Sequence, residues 1–162
     1  MLHKQVKGLA LGFVLGIAAL GMLAYQSAPN VMILEDESAL NYTDTVSTLK
    51  KAAKAQGWKI PKVHELDKTM AKAGYDVEPV TVFELCHVDH AAKVLKDFDS
   101  RVVTSLMPCR VSVYMNGEGK VIVSRMNSGA IAKVFNQNVA DVMKVASQET
   151  EIILQSVLKP SS

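Results

Sequence analysis

The stretch Cys86-His87-Val88-Asp89-His90 holds the densest group of metal-ligating side chains in the sequence. Thiolate and imidazole together suit zinc, copper or haem iron. His87 and His90 are three residues apart, so one helical turn sets both on one face. A second thiol, Cys109, follows in a later segment. The candidate ligand set for a soft transition metal is therefore Cys86, His87, His90 and Cys109, and for a haem group Cys86, His87 and Cys109. No Cys-x-x-Cys-His is present, which excludes covalent attachment of a c-type haem. The cluster also fits no complete structural-zinc spacing. The commoner reading of the same residues is an idle, exposed histidine pair and two small buried thiols.

Two cysteines cannot build a multi-bridge scaffold, which leaves a single disulfide, a ligand or reactive pair, or two unlinked core residues. Cys86 ends one apolar run and Cys109 opens the next. If those strands pair antiparallel, the end of one lies beside the start of the other, and both thiols line one site with His87 at its rim. The antiparallel arrangement is expected, because such pairs outnumber parallel ones by roughly two- to three-fold. His64, with Glu65 and Asp67, is a candidate acid–base group. Met107, Met115 and Met126 are candidates for a soft apolar lining, although methionine more commonly fills a core. There is no phosphate-binding loop, dinucleotide glycine fingerprint, Gly-x-Ser-x-Gly elbow or His-Glu-x-x-His.

The elements that must position these residues follow from periodicity. Val31–Leu34 reads as a first strand. Asn41 or Thr43 caps a helix to about Gln56, with Val46, Leu49 and Ala53 on its buried stripe. Gly57 sits where a positive φ ends it. Trp58–Val63 is extended, and a short helix runs from Asp67 to Gly74. Val80–Cys86 is a strand, and Asp89–Phe98 a helix with Ala92 and Leu95 on one face. Met107–Met115 is the clearest strand, with Cys109, Val111, Val113 and Met115 on one side. Asn116-Gly117-Glu118-Gly119 turns it into a partner at Lys120–Met126. A short helix covers Ser128–Phe135. A long last helix, about Val139–Leu158, buries Val139, Val142, Ala146, Ile153 and Val157. The fold class is α/β (α+β), a two-layer sandwich of a mixed or antiparallel sheet with helices on one face.

Ahead of this lies Gly8–Tyr25, an uncharged apolar run at the short end of the ~17–25 residues that span a bilayer. His3, Lys4 and Lys7 precede it, and Glu35, Asp36 and Glu37 follow it. The expected organisation is a membrane anchor over 1–29, a folded domain over 30–158 and a tail over 159–162. The positive flank predicts a single pass through the inner membrane, with the domain on the periplasmic side. A net charge of +2 without a basic cluster excludes an electrostatic nucleic-acid binder. With 49% hydrophobic and 21% charged residues, the chain is not disordered.

Met32–Ser38, Phe83-Glu84-Leu85-Cys86 and Leu106-Met107-Pro108-Cys109-Arg110 resemble the bacterial family known as domain of unknown function 302. The resemblance spans roughly Val31 to Leu158, and its most specific element is the Leu-Met-Pro-Cys-Arg run entering a strand. Family members often have Asn-Pro after the first Cys, where this sequence has His87-Val88. The resemblance implies a compact α/β sandwich that tends to dimerise. The long last helix supports this expectation with surplus apolar residues, and some of Ile152, Ile153, Leu154 and Val157 would then face a partner chain. It implies no activity.

The expected function is that of a membrane-anchored, envelope-exposed binding or accessory protein acting as a homodimer. The alternatives are a metal- or haem-binding redox protein and an enzyme of unrecognised type. The anchor makes the first testable statement, because Gln26-Ser27-Ala28 and Leu23-Ala24-Tyr25 are poor cleavage sites. The intact mass of the protein in the membrane fraction should be that of the uncleaved chain. A mature chain beginning near Ser27 or Pro29 would mean secretion instead.

Overall fold

A computed structural model describes residues 16–17, 21–22 and 31–160. The expected membrane anchor therefore falls almost wholly outside the described residues. Among those described, no helix is long and apolar enough to cross a bilayer.

Five strands form one sheet: β1 (Ile33–Glu37), β2 (Val63–Glu65), β3 (Val80–Leu85), β4 (Cys109–Met115) and β5 (Val121–Met126). Their order across the sheet is β1-β5-β4-β3-β2, and every neighbouring pair is antiparallel. Of the two expected sheet types, mixed or antiparallel, the antiparallel one is found. The β4–β5 hairpin closes where the sequence placed it. Asn116 Oδ1 accepts from the backbone N–H of Glu118 and Lys120, each at 3.0 Å. Gly119 takes the positive φ of 74° that the turn requires.

Burial alternates along β3 and the neighbouring strands, as a sheet covered on one side demands. Phe83, Leu85, Val111, Val113 and Val123 are buried, while Val82, Glu84, Ser112 and Ser124 on the other side are half-buried. The helices are α1 (Tyr42–Ala55), α2 (Leu66–Lys72), α3 (Val88–Lys96), α4 (Ser128–Ile131) and α5 (Gln137–Leu154), with 3-10 segments at Asp99–Leu106 and Ala132–Val134. Asn41 caps α1 by accepting from Asp44 N–H at 2.9 Å, and Asn136 caps α5 by accepting from Val139 N–H at 3.0 Å. On α1 the buried side chains are Thr45, Leu49 and Ala53, with Val46 packed at their margin.

The core has two parts. Leu49, Trp58, Phe83, Leu85, Val111, Val113, Val123, Ile153 and Leu154 fill the space between the sheet, α1 and α5. A smaller cluster of Val94, Val103, Val139 and Val142 lies among α3, the 3-10 segment after it and the start of α5. That second cluster corrects one expectation. α3 buries Val94 and leaves Leu95 exposed, because the helix packs on α5 and the 3-10 segment rather than on the sheet. The apolar surplus assigned to a dimer partner is also largely spent internally. Ile153, Leu154 and Val157 are buried in their own chain, and of the four residues only Ile152 is exposed.

Arg125 is the one buried basic side chain among the described residues. It points inward from β5, forks onto Glu151 of α5 at 2.9 and 2.7 Å, and also pairs with Asp36 of β1. A bidentate guanidinium–carboxylate pair fixes direction as well as distance. Removing one partner of a buried pair costs roughly 3–5 kcal/mol, and less where the other partner keeps water. Glu151 and Asp36 both keep water. Arg125→Ala should therefore lower unfolding stability by about 2 kcal/mol, read from urea denaturation, whereas Asp36→Asn should cost less than half as much. Equal, near-zero effects would show that the network does not hold α5 to the sheet.

Candidate functional site

The β3–β4 register decides where the two thiols lie. Leu85 stands opposite Cys109, so Cys86 is one residue past the paired end of β3, beside the start of β4. Cys86 continues the sheet by exchanging backbone hydrogen bonds with Lys59, at 2.8 and 3.0 Å. Both thiols open onto one cavity of ≈ 60 Å³, and neither is in a disulfide. Burial pushes the Cys109 thiol above its ordinary range, and the neighbouring Cys86 adds to that rise.

The cavity is the seam between the two core clusters. Trp58, Leu85 and Ala146 wall it on the sheet side, and Val94, Val103 and Val142 on the other. Its polar fittings stand at α3. His87 is the N-cap residue of that helix and His90 lies in its first turn. The rings stack at a tilt of 31° with centroids 4.3 Å apart, and Trp58 meets both edge-on.

α5 supplies a third group. Glu149 Oε2 accepts a hydrogen bond from Trp58 Nε1–H at 3.1 Å and lies 2.9 Å from His90 Nε2. Burial raises the Glu149 pKa, but the hydrogen bond and charge of His90, with smaller help from Trp58 and His87, bring it below the usual carboxylate value. Glu149 is thus an anion at neutral pH. Its ligand oxygen and one nitrogen each from His87 and His90 all lie within 4.8 Å of one another. His87 Nδ1 is buried without a hydrogen-bond partner among the described residues.

The structure thus gathers Cys86, His87, His90 and Cys109 as expected from sequence, and adds Glu149 and Trp58. Glu149 had a signal. It falls three residues after Ala146 and four before Ile153, on the apolar stripe of its own helix, where a charge needs a partner. Trp58 is the lone tryptophan and follows Gly57, whose φ of 78° turns the chain out of α1. Two other candidates come apart. His64 bonds Glu84 of β3 at 2.9 Å, not Glu65 or Asp67, because strand alternation sends it to the other sheet face. Met107 lines the cavity, while Met115 and Met126 are elsewhere.

Residues 34–159 match the family described as domain of unknown function DUF302. The chain belongs to that family. A similar DUF302 fold is seen in the crystal structure of an uncharacterized conserved protein from Bacillus stearothermophilus. The two share 16% identity and a TM-score of 0.69, over 77% of this chain and 97% of that one. That likeness speaks for the DUF302 fold alone. A search of curated proteins gives no match.

The DUF302 domain carries one indole, so the site has its own fluorescent reporter. Glu149→Ala leaves the Trp58 N–H buried without its acceptor, at a cost of about 2 kcal/mol. Urea denaturation should show that loss together with a changed Trp58 emission. Unchanged emission would mean that the indole does not depend on this carboxylate.

Proposed function

We propose that this DUF302 chain is a binding protein of the bacterial envelope. In this reading it is tethered by its N-terminal apolar run, faces the periplasm and works as a homodimer. Its ligand site is the seam cavity, with Cys86 and Cys109 inside and His87 and His90 at the edge. The observation that carries the reading is the convergence of two unlinked thiols and two imidazoles on one apolar cavity. Apolar walls with a few convergent polar groups are the ordinary build of a ligand site.

Cavity size limits the ligand. A dry cavity that admits benzene measures about 150 Å³, and this one is ≈ 60 Å³. A haem is far larger than benzene and would have to displace α3, so the site favours an ion or a very small molecule over haem. For the dimer, support comes from the outer sheet face rather than from α5. Val80, Tyr114 and Ile122 stand in one cross-strand row there, all half-buried.

Native mass spectrometry of the full chain in detergent tests the ligand and the dimer together. The wild type should fly as a dimer carrying a non-covalent adduct, and His87→Ala/His90→Ala should lose the adduct while keeping the dimer. A bare monomer from wild-type protein would overturn both parts of the reading.

A further inference from the structure

We propose that His87, His90 and Glu149 together hold one divalent transition-metal ion, of the zinc class, with its fourth position open to the thiol-lined cavity. The inference rests on the cavity being the working site, and it names the ligand class.

Zinc bonds of ~2.0–2.2 Å in a tetrahedron place ligand atoms about 3.3 Å apart. The nitrogen and oxygen of His90 and Glu149 are already 2.9 Å apart. The whole trio fits within 4.8 Å, so its atoms need to close by at most about 1.5 Å to meet around an ion. A bound ion would replace the hydrogen bond between His90 Nε2 and Glu149, since metal ligands must be deprotonated. The unpartnered nitrogen of His87 is the second sign of a ligand. A buried imidazole nitrogen without a partner calls for a reason, and an ion is one.

The donor set selects the ion. Two imidazoles and one carboxylate suit zinc and its first-row neighbours, and they are poor partners for calcium or magnesium, which prefer all-oxygen shells. Three protein ligands with one open position is the pattern of a zinc site that keeps water or takes a substrate. The carboxylate is itself oriented by Trp58 Nε1–H, the kind of outer support that typically changes metal affinity by about 10- to 100-fold. Cys86 and Cys109 line the same cavity as His87 and His90, so either thiol can join only as a fourth ligand and does not build the site.

The test uses the full chain in detergent, stripped with a chelator and titrated with Zn²⁺, with elemental analysis for stoichiometry and circular dichroism for folding. One ion per chain is expected at micromolar Zn²⁺. Glu149→Gln, His87→Ala and His90→Ala should each weaken binding by about 100-fold, and Trp58→Phe by about 10-fold. Cys86→Ser/Cys109→Ser should retain stoichiometric Zn²⁺. Cobalt in place of zinc gives a second readout that does not depend on variant stability: visible bands of a four-coordinate ion, with thiolate-to-cobalt charge transfer only if a cysteine is a ligand. No binding below about millimolar Zn²⁺ would overturn the inference. So would binding abolished in the double cysteine variant and untouched in Glu149→Gln. That last result would leave the cavity reading standing with a different ligand, since only the His87–His90–Glu149 donor set would have failed.

Discussion

One carboxylate oxygen, Glu149 Oε2, takes hydrogen bonds from two elements far apart in sequence: the indole after α1 and the first turn of α3. The same helix that offers Glu149 also carries the long apolar stripe of the core. A half-buried carboxylate on that stripe is costly unless paired, so the site must assemble when the core assembles. The apolar cavity follows from the same arrangement. α3 and the 3-10 segment build their own small cluster on the start of α5, and the two cores meet along a line that no large side chain fills.

Sequence reading reached the sheet more easily than the connections. The Cys109–Met115 strand alternates cleanly, and the Asn-Gly turn beyond it fixes the hairpin, so both were legible. The placement of Cys86 beside Cys109 followed from that strand direction. The α3 face was misread because Ala92 and Leu95 share a stripe with helical spacing. The true partners include Val103 of the 3-10 segment Asp99–Leu106, a stretch for which the sequence suggested no element. Asn138 shows how that segment is held: its side-chain amide donates to Ser100 Oγ at 2.9 Å and to Lys93 O at 3.3 Å. Polar ties of this kind between loop and helix leave no trace in hydrophobic patterning.

The site was half legible for a related reason. Cys86, His87 and His90 are neighbours in sequence, so local spacing exposed them. Glu149 comes from a helix on the other side of the cavity, and only its position among apolar residues marked it. His64 shows the opposite failure. Its nearest acids in sequence are Glu65 and Asp67, yet alternation along β2 sends its ring to Glu84 on the outer face. Sequence proximity is a poor guide to pairing wherever a strand intervenes.

Glu149 and Glu151 are two residues apart on α5, so on a helix of 3.6 residues per turn they point to roughly opposite flanks. Glu149 turns to His90 and Trp58, and Glu151 turns to Arg125 on β5. Thr150, Ile153 and Leu154 lie buried on the face between them. A helix held by its apolar face alone retains some freedom to roll. Two carboxylates anchored on opposite flanks remove it, and the bidentate fork at Arg125 is the stiffer of the two anchors. The direction of the Glu149 carboxylate is therefore set partly from the far side of the helix, by an ion pair outside the cavity. A site whose third group is aimed in this way is ordered before any ligand arrives, which lowers the entropic cost of binding.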